Sequence, residues 1–131
     1  MEFPEELLYT KDHEWAKYDE KKKIVTLGIT DYAQSKLGDV VHIDLPDEGD
    51  EVRLEEPFGS VESVKAVEDI FAPVSGDIIE VNSILLDAPD VINEDPYGEG
   101  WIIKVKVLDN SFLDDLMSAE SYQAYTESQD E

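Results

Sequence analysis

The sequence predicts a mainly β protein that forms one domain of 131 residues, with short helices at its C-terminus. Short β-branched or alternating segments are separated by turn residues along most of the chain, as in all-β domains. The length is close to the commonest domain size. Apolar residues recur at helical spacing after Asn110. We therefore expect a β core over about residues 9–108 and a helical extension over about residues 110–127.

The β core is predicted from eight extended segments and one helix. In chain order, the segments are residues 14–18, 24–29, 39–45, 52–54, 58–62, 67–71, 76–81 and 101–107. Between the second and third segments, Thr30 has the side chain of a helix N-cap and Gly38 that of a helix end. The sequence thus predicts a short helix over residues 31–37.

The C-terminal part has a different apolar pattern. Its apolar residues recur three or four positions apart, on both sides of a break predicted near Ser118: Phe112, Leu113, Leu116, Met117, Tyr122 and Tyr125. This spacing predicts two short helices that pack on the β core. Residues 127–131 are expected to fray, because chain ends lack packing partners.

The β core also contains an internal echo. Residues 38–43 (GDVVHI) match residues 76–81 (GDIIEV) position for position. Two such halves would pair into one sandwich, because neither half could bury its apolar face alone. Lys65 lies in the connection between the two copies.

Composition excludes several classes of function. The net charge of −23 argues against nucleic acid or an anionic membrane as a partner, and it favours electropositive faces of other proteins. The absence of cysteine excludes disulfides, thiolate metal sites and a cysteine nucleophile. No apolar run approaches the roughly 18 residues of a membrane span, and residues 1–6 lack a signal core. We expect a cytoplasmic protein, or one of the mitochondrial matrix if a leader has been removed.

The motifs of an enzyme or a metal site are not recognised. The two histidines, His13 and His42, have no metal-ligand spacing, and the acidic cluster over residues 44–51 lacks the pattern of a calcium loop. Glycine-rich phosphate loops and Gly-x-Ser-x-Gly elbows do not occur. The sequence therefore predicts no catalytic residues and no metal.

Lys65 is the candidate functional residue. Between Lys36 and Lys104 the only other basic residue is Arg53, in an interval that holds eighteen acids. Lys65 lies where two extended segments meet, and a type I turn tolerates the residues there. Its acidic neighbours do not favour a Schiff-base role, which needs burial or cationic neighbours. Attachment of a group by a modifying enzyme fits better, with an ordinary solvated lysine as the alternative.

Several segments in order resemble the glycine cleavage system H protein family. The resemblance spans residues 9–15, 28–34, 37–41, 58–66, 73–76, 81–82 and 92–101. The ESVKA motif at residues 62–66 and the NEDPYGEGW motif at residues 93–101 are specific in combination. The resemblance implies a flattened β-sandwich of the lipoyl-domain (biotinyl/lipoyl carrier) type.

The same resemblance implies a non-catalytic carrier with lipoic acid in amide linkage on Lys65. Glu62 and Gly76 match positions that help lipoate-attaching enzymes recognise the turn. Glu14 matches a residue that lines a cleft sheltering the loaded arm, although a charged residue at the start of a strand is an equal alternative. The implied partners are glycine decarboxylase (P protein), aminomethyltransferase (T protein) and dihydrolipoamide dehydrogenase (L protein).

Four alternatives stay open at this level. A biotin carrier normally flanks its lysine with methionines, whereas Val64 and Ala66 flank Lys65 here. A lipoyl domain of a 2-oxoacid dehydrogenase acyltransferase would continue into a linker and a catalytic domain. An H-like protein that relays lipoyl groups to other apoproteins has the same sequence features. A cofactor-free acidic interaction module is the alternative from another class.

Overall fold

The computed structural model describes residues 1–129, and these residues form two β sheets with helices at the edges. The strands are β1 (Leu8–Tyr9), β2 (Glu14–Asp19), β3 (Ile24–Ile29), β4 (Val40–Asp44), β5 (Glu51–Val52), β6 (Pro57–Ser63), β7 (Val67–Phe71), β8 (Gly76–Val81) and β9 (Ile103–Lys106). Six of them form one antiparallel sheet in the order β1-β2-β3-β9-β8-β5. The other three form a sheet in the order β4-β6-β7. The predicted mainly β fold is confirmed.

The apolar core consists of the inward-facing side chains of both sheets. Each sheet turns one face to this core, and buried residues alternate with more exposed ones in strands such as β9. Val25, Leu27 and Val105 contribute from the large sheet, and Ile43 and Val61 from the small one. This core fixes the register of both sheets, because a one-residue slip would turn each strand's apolar face to solvent.

The predicted helix after β3 is confirmed as α1 (Asp31–Leu37). The Thr30 hydroxyl accepts a hydrogen bond from the N–H of Ala33, and Gly38 ends the helix with a positive φ of 79°. Two further one-turn helices, α2 (Ile84–Asp87) and α3 (Val91–Glu94), follow β8. The sequence pattern missed them because a single turn is too short to show helical periodicity.

The C-terminal extension differs in part from the prediction. Its first half is a 3₁₀ helix over Ser111–Asp115, and the second is α4 (Ala119–Gln129), with the predicted break between them. Residues 127–129 are helical, so the predicted fraying of this stretch is wrong, and residues 130 and 131 lie outside the described part of the chain. The packing of α4 explains the difference, because Tyr122 and Thr126 are buried.

The two echo segments occupy corresponding strands of different sheets. Residues 40–43 lie in β4 of the small sheet, and residues 76–81 form β8 of the large sheet. Each sheet combines strands from both copies, since β7 pairs with β6 and β5 pairs with β8. The two halves of the β core therefore interleave in both sheets, and Lys65 lies in the connection between them.

Within residues 1–129, no helix is both long enough and apolar enough to cross a membrane.

Candidate functional site

The hairpin of β6 and β7 carries Lys65 at its tip, where the sequence predicted it. The N–H of Ser63 donates to the carbonyl of Ala66 across the turn at 2.8 Å. The hydroxyl oxygen of Ser63 accepts the N–H groups of Lys65 at 3.2 Å and Ala66 at 3.1 Å. Neither Val64 nor Lys65 has a positive φ, so the turn needs no glycine. These bonds make the tip a well-defined bend.

The Lys65 side chain is exposed to solvent. Among residues 1–129, no acidic side chain forms an ion pair with its ammonium group. The neighbouring Val64 and Val67 are also exposed, by 68% and 63%. The amine is thus accessible to a modifying enzyme.

The turn packs against the segment that follows α1. The N–H of Val64 donates to the carbonyl of Asp39 at 3.0 Å. A Cβ atom on Gly38 would lie 3.3 Å from Cε of Lys65, and Gly38 has a positive φ of 79°. Glycine therefore suits this position twice, through its backbone conformation and through the close approach of the lysine stem.

A cavity of about 470 Å³ opens beside the lysine stem. Apolar residues from β3, α1 and the small sheet form much of its wall, together with Lys65 and Ala66 of the turn. These apolar residues are Ile29, Ala33, Leu37, Val61 and Ile70. Asp12, His13, Glu14, Tyr32, Lys36, Glu68 and Asp69 complete the lining. A long apolar group rooted at Lys65 could fold back into this space.

Glu14 lies in the cavity wall and is only 3% exposed. Its two carboxyl oxygens accept hydrogen bonds from the hydroxyl of Thr10 at 3.0 Å and from the N–H of Phe71 at 3.1 Å. Burial raises the pKa of Glu14 to about 8, against the opposing effect of these two hydrogen bonds. The structure thus brings Glu14 and Lys65 to one cavity.

The C-terminal helix α4 supports the same wall through Tyr122. The Tyr122 hydroxyl lies 2.7 Å from the hydroxyl of Thr30 and 2.9 Å from Nδ1 of His13. Thr30 is fully buried and accepts the N–H of Ala33, and either hydroxyl of the Thr30–Tyr122 pair can be the donor. His13 can donate or accept in its bond with Tyr122, since either ring nitrogen can carry the proton of its neutral form. Burial lowers the pKa of His13 and favours this neutral form.

The other two predicted site residues lie outside the cavity lining. Glu62 is exposed on β6, opposite Val67 of β7 and His42 of β4. Gly76 begins β8 in the large sheet, and a Cβ atom there would lie 2.2 Å from the carbonyl oxygen of Lys106. That close approach gives Gly76 a packing reason to be glycine. The recognition roles of Glu62 and Gly76 stay predictions.

The described residues contain no group of three or more histidine or acidic side chains placed to hold a metal ion. His42 is exposed and lies 3.3 Å from Asp44 on the same strand.

Sequence reasoning missed the part of the site contributed by His13, Thr30 and Tyr122. These residues are far apart in the chain, and an aromatic at helical spacing in α4 indicates packing alone. The positive φ of His13, 67°, also has no sequence signal. Only the packing of α4 against β1 and α1 brings them together.

The fold and the site define a class of protein: a non-catalytic carrier domain, in which a two-sheet β scaffold presents one lysine on a fixed hairpin. Comparison with known proteins identifies which carrier family this is. The glycine cleavage H-protein family model matches residues 7–129. The chain belongs to this family, whose members are lipoyl carriers of the glycine cleavage system.

Individual relatives are similar in sequence to this chain along almost its whole length. A glycine cleavage system H protein of Anaeromyxobacter sp. (strain K) is 54% identical over 130 residues, which are 99% of this chain and 100% of the relative. One from Geobacillus kaustophilus is 52% identical over 124 residues, covering 95% and 96%. The crystal structure of the H protein of Mycobacterium marinum superposes with a TM-score of 0.86 at 38% identity, over 94% of this chain and 98% of that one. The predicted lipoyl-domain type of fold and the carrier function are confirmed.

Proposed function

We propose that Lys65 is the residue that carries the lipoyl group, in amide linkage to its side-chain nitrogen. The observation that carries this proposal is the exposed position of Lys65 at the tip of a hydrogen-bonded hairpin, with no ion-pair partner among residues 1–129. The only other basic residue between Lys36 and Lys104, Arg53, cannot form the same amide and pairs with Glu51 at 3.0 Å. When bound, the lipoyl dithiolane accepts the aminomethyl unit of glycine, and its dithiol form is later reoxidised.

The cavity beside Lys65 fits such a group. Its volume of about 470 Å³ lies within the range of roughly 300–1,000 Å³ that small-molecule pockets have in proteins. Ile29, Leu37 and Ile70 offer apolar surface to the hydrocarbon part of an arm. The polar end of the cavity, near Glu14, would meet the far end of that arm.

Glu14 is proposed to receive the loaded end of the arm. At neutral pH the buried carboxyl is mostly protonated, because the pKa is raised to about 8. A cationic amine brought into the cavity would stabilise the carboxylate and pair with it, since an opposite charge within a few ångströms favours the ionised form. The hydrogen bonds from Thr10 and Phe71 hold the carboxyl group in place for this contact.

The partners follow from membership of the glycine cleavage system. We propose that the arm on Lys65 visits a pyridoxal-phosphate glycine decarboxylase, a tetrahydrofolate-dependent aminomethyltransferase and a dihydrolipoamide dehydrogenase in turn. The exposed turn supports this, because three different active sites must reach the same residue. The net charge of −23 would steer the protein towards electropositive faces of these enzymes.

Lipoate-attaching enzymes are proposed to recognise the Lys65 hairpin with the help of Glu62 and Gly76. Glu62 supports this through its exposed position on β6, three residues before Lys65 of the turn. Gly76 would act indirectly, by allowing β8 and β9 to approach closely. We also propose that the protein works in the cytoplasm, in keeping with the bacterial sources of its relatives.

The experiment is an intact-mass measurement after incubation with lipoate, ATP and a lipoate–protein ligase. The wild-type chain should gain one lipoyl group, and Lys65→Arg should gain none. Lys22→Arg is the matched control, because Lys22 also lies exposed in a hairpin turn, between β2 and β3. A lipoyl group that persists in Lys65→Arg would refute the assignment.

A further inference from the structure

Asn93 in α3 forms hydrogen bonds with residues 38–40, the segment that also contacts the Lys65 turn. Its side-chain nitrogen donates to the carbonyl of Gly38 at 2.9 Å and to Oε1 of Gln34 at 3.0 Å. Its side-chain oxygen accepts the N–H of Val40 at 2.8 Å. The amide thus bonds to the backbone on both sides of Asp39, as a neighbouring strand would.

The opposite edge of the same segment holds the lysine turn. The carbonyl of Asp39 accepts the N–H of Val64 at 3.0 Å. Val40 is the ladder partner of Ser63, the residue whose hydroxyl organises the turn. Residues 38–40 therefore lie between Asn93 on one edge and the turn on the other.

The remaining hydrogen bonds of the turn are internal to it. The four bonds between Ser63 and Lys65 or Ala66 define the bend but do not orient it relative to the cavity. Orientation depends on the bond from Val64 to Asp39 and on the pairing of Ser63 with Val40, and the positions of Asp39 and Val40 depend on what holds residues 38–40. That segment has little regular structure of its own, because Gly38 ends α1 and the β4–β6 ladder is irregular between Val40 and His42.

We propose that Asn93 is a positioning residue for the lipoyl-lysine turn: it fixes residues 38–40, which in turn fix Val64 and the root of Lys65 beside the cavity. The inference rests on the proposed function in one respect, that Lys65 is the attachment site. Asparagine suits the position because its amide offers a donor to Gly38 and an acceptor to Val40 at once. Aspartate would keep the acceptor and place a second oxygen against the carbonyl of Gly38.

The test compares Asn93→Asp with Asn82→Asp. Asn82 is a matched control, because its side-chain nitrogen also donates two hydrogen bonds, to the carbonyls of Glu99 and Trp101, both at 2.7 Å. Both variants lose two donated hydrogen bonds, so both should lower the thermal midpoint of unfolding. Only Asn93→Asp removes a hydrogen bond to the segment that contacts the Lys65 turn.

The first readout is amide hydrogen exchange of Val64 in the unmodified protein. We expect exchange to be at least about tenfold faster in Asn93→Asp than in wild type, because the acceptor at Asp39 is no longer held in place. In Asn82→Asp, Val64 should exchange no faster than the change in global stability accounts for. Equal acceleration in the two variants would overturn the proposal.

The second readout is the rate of lipoylation by a lipoate–protein ligase with lipoate and ATP, at a temperature where circular dichroism shows each variant folded. We expect kcat/KM for Asn93→Asp to fall about tenfold, since misplacement of a reacting group lowers the rate steeply. Asn82→Asp should stay within about twofold of wild type. If Asn93→Asp does not fold, Asn93→Ala serves instead, because it removes the bonds without adding repulsion.

The two proposals fail in different ways. If wild type itself gains no lipoyl group at Lys65, the proposed function is wrong, while the exchange experiment still reports on the turn. If wild type is lipoylated and Asn93→Asp matches Asn82→Asp in both readouts, Asn93 is merely structural.

Discussion

Two hairpins in this protein present exposed lysines at their turns, and they differ in what surrounds them. The β2–β3 hairpin carries Lys21, Lys22 and Lys23, whereas the β6–β7 hairpin carries only Lys65. The sequence favours Lys65 as the attachment site, through the uneven spread of basic residues and the family resemblance. The structure adds how the surroundings of the two turns differ.

The lysine-rich β2–β3 hairpin forms hydrogen bonds with residues at the end of β9 and just after it. The carbonyl of Lys22 accepts a hydrogen bond from the Lys106 ammonium, and the Lys23 ammonium donates to the carbonyl of Leu108. A depression of about 680 Å³ borders this hairpin, but lysines and acids such as Asp19 and Glu80 form much of its wall. Tyr18, Ile24 and Ile79 add apolar surface to the same wall, so this depression differs from the Lys65 cavity in its larger share of charged side chains.

The Lys65 hairpin differs from it in the hydrogen bonds of the turn and in the cavity beside it. Its turn is hydrogen-bonded internally through Ser63 and externally through Asp39, while the lysine amine has no partner among residues 1–129. The adjoining cavity is lined by Ile29, Leu37 and Ile70 as well as by polar groups. The proposed carrier lysine is thus distinguished by a hydrogen-bonded turn, an amine without a partner among residues 1–129 and a partly apolar cavity beside its stem.

The largest effect expected from this comparison is on carrier activity. In glycine-dependent CO₂ exchange with a P protein, lipoylated wild type should be active and Lys65→Arg inactive, because arginine cannot take the amide-linked arm. Lys22→Arg should retain wild-type activity. Activity in Lys65→Arg, or loss in Lys22→Arg, would remove the distinction between the hairpins.

The pH dependence of stability should distinguish the two ends of β2. Because the folded pKa of Glu14 is raised from 4.5 to about 8, its contribution to stability is complete below pH 4.5 and is lost as pH rises towards 8. The loss amounts to at most about 1.4 kcal/mol per pH unit. Urea unfolding from pH 5 to 8 should show that Glu14→Gln removes this slope.

Asp19, at the far end of the same strand, provides the control for that measurement. It is exposed and accepts the N–H of Lys22 at 3.2 Å. Asp19→Asn should leave the slope between pH 5 and 8 as in wild type. An unchanged slope in Glu14→Gln would contradict the buried, protonated state of Glu14.

Two glycines with positive φ allow the lysine contact to be tested separately from backbone strain. Gly38→Ala and Gly49→Ala should each cost about 1 kcal/mol of unfolding free energy for the left-handed backbone. A Cβ at Gly38 would also press on Cε of Lys65, whereas nothing lies within 4 Å of one at Gly49. Only Gly38→Ala should therefore slow lipoylation. Equal lipoylation rates would show that the contact is unimportant.

The turn bonds should produce a smaller difference. Ser63→Ala leaves the N–H groups of Lys65 and Ala66 without their acceptor and should cost about 1 kcal/mol in urea unfolding. The equivalent change in the other hairpin, Asp19→Ala, removes one exposed bond and should cost less. A larger cost for Asp19→Ala would reverse the assigned rigidity of the two turns.

The smallest expected effect is on stability when Lys65 itself is truncated. Lys65→Ala should change the free energy of unfolding by less than about 0.5 kcal/mol, because the side chain is exposed and unpaired. A large loss in thermal unfolding would mean that the lysine is structural.

The sequence by itself determined eight of the nine strands found in residues 1–129 (all but the two-residue β1), the capped helix α1, the hairpin with Lys65 at its tip and the family. These features depend on local signals, namely alternation, capping residues and contiguous motifs such as ESVKA. The division into one core over residues 9–108 and one extension over residues 110–127 stays a prediction. The sequence also left the role of Glu14 open between a surface charge and a cavity residue.

Tertiary structure alone decided that Glu14 is buried against Thr10 and Phe71, and that Asn93 reaches Gly38 and Val40 from 53 to 55 positions away. It also decided that the two echo segments interleave instead of stacking as separate halves. The physical reason is common to these cases. Burial and hydrogen-bond partners depend on which distant segments pack together, and no local pattern of residues encodes that choice.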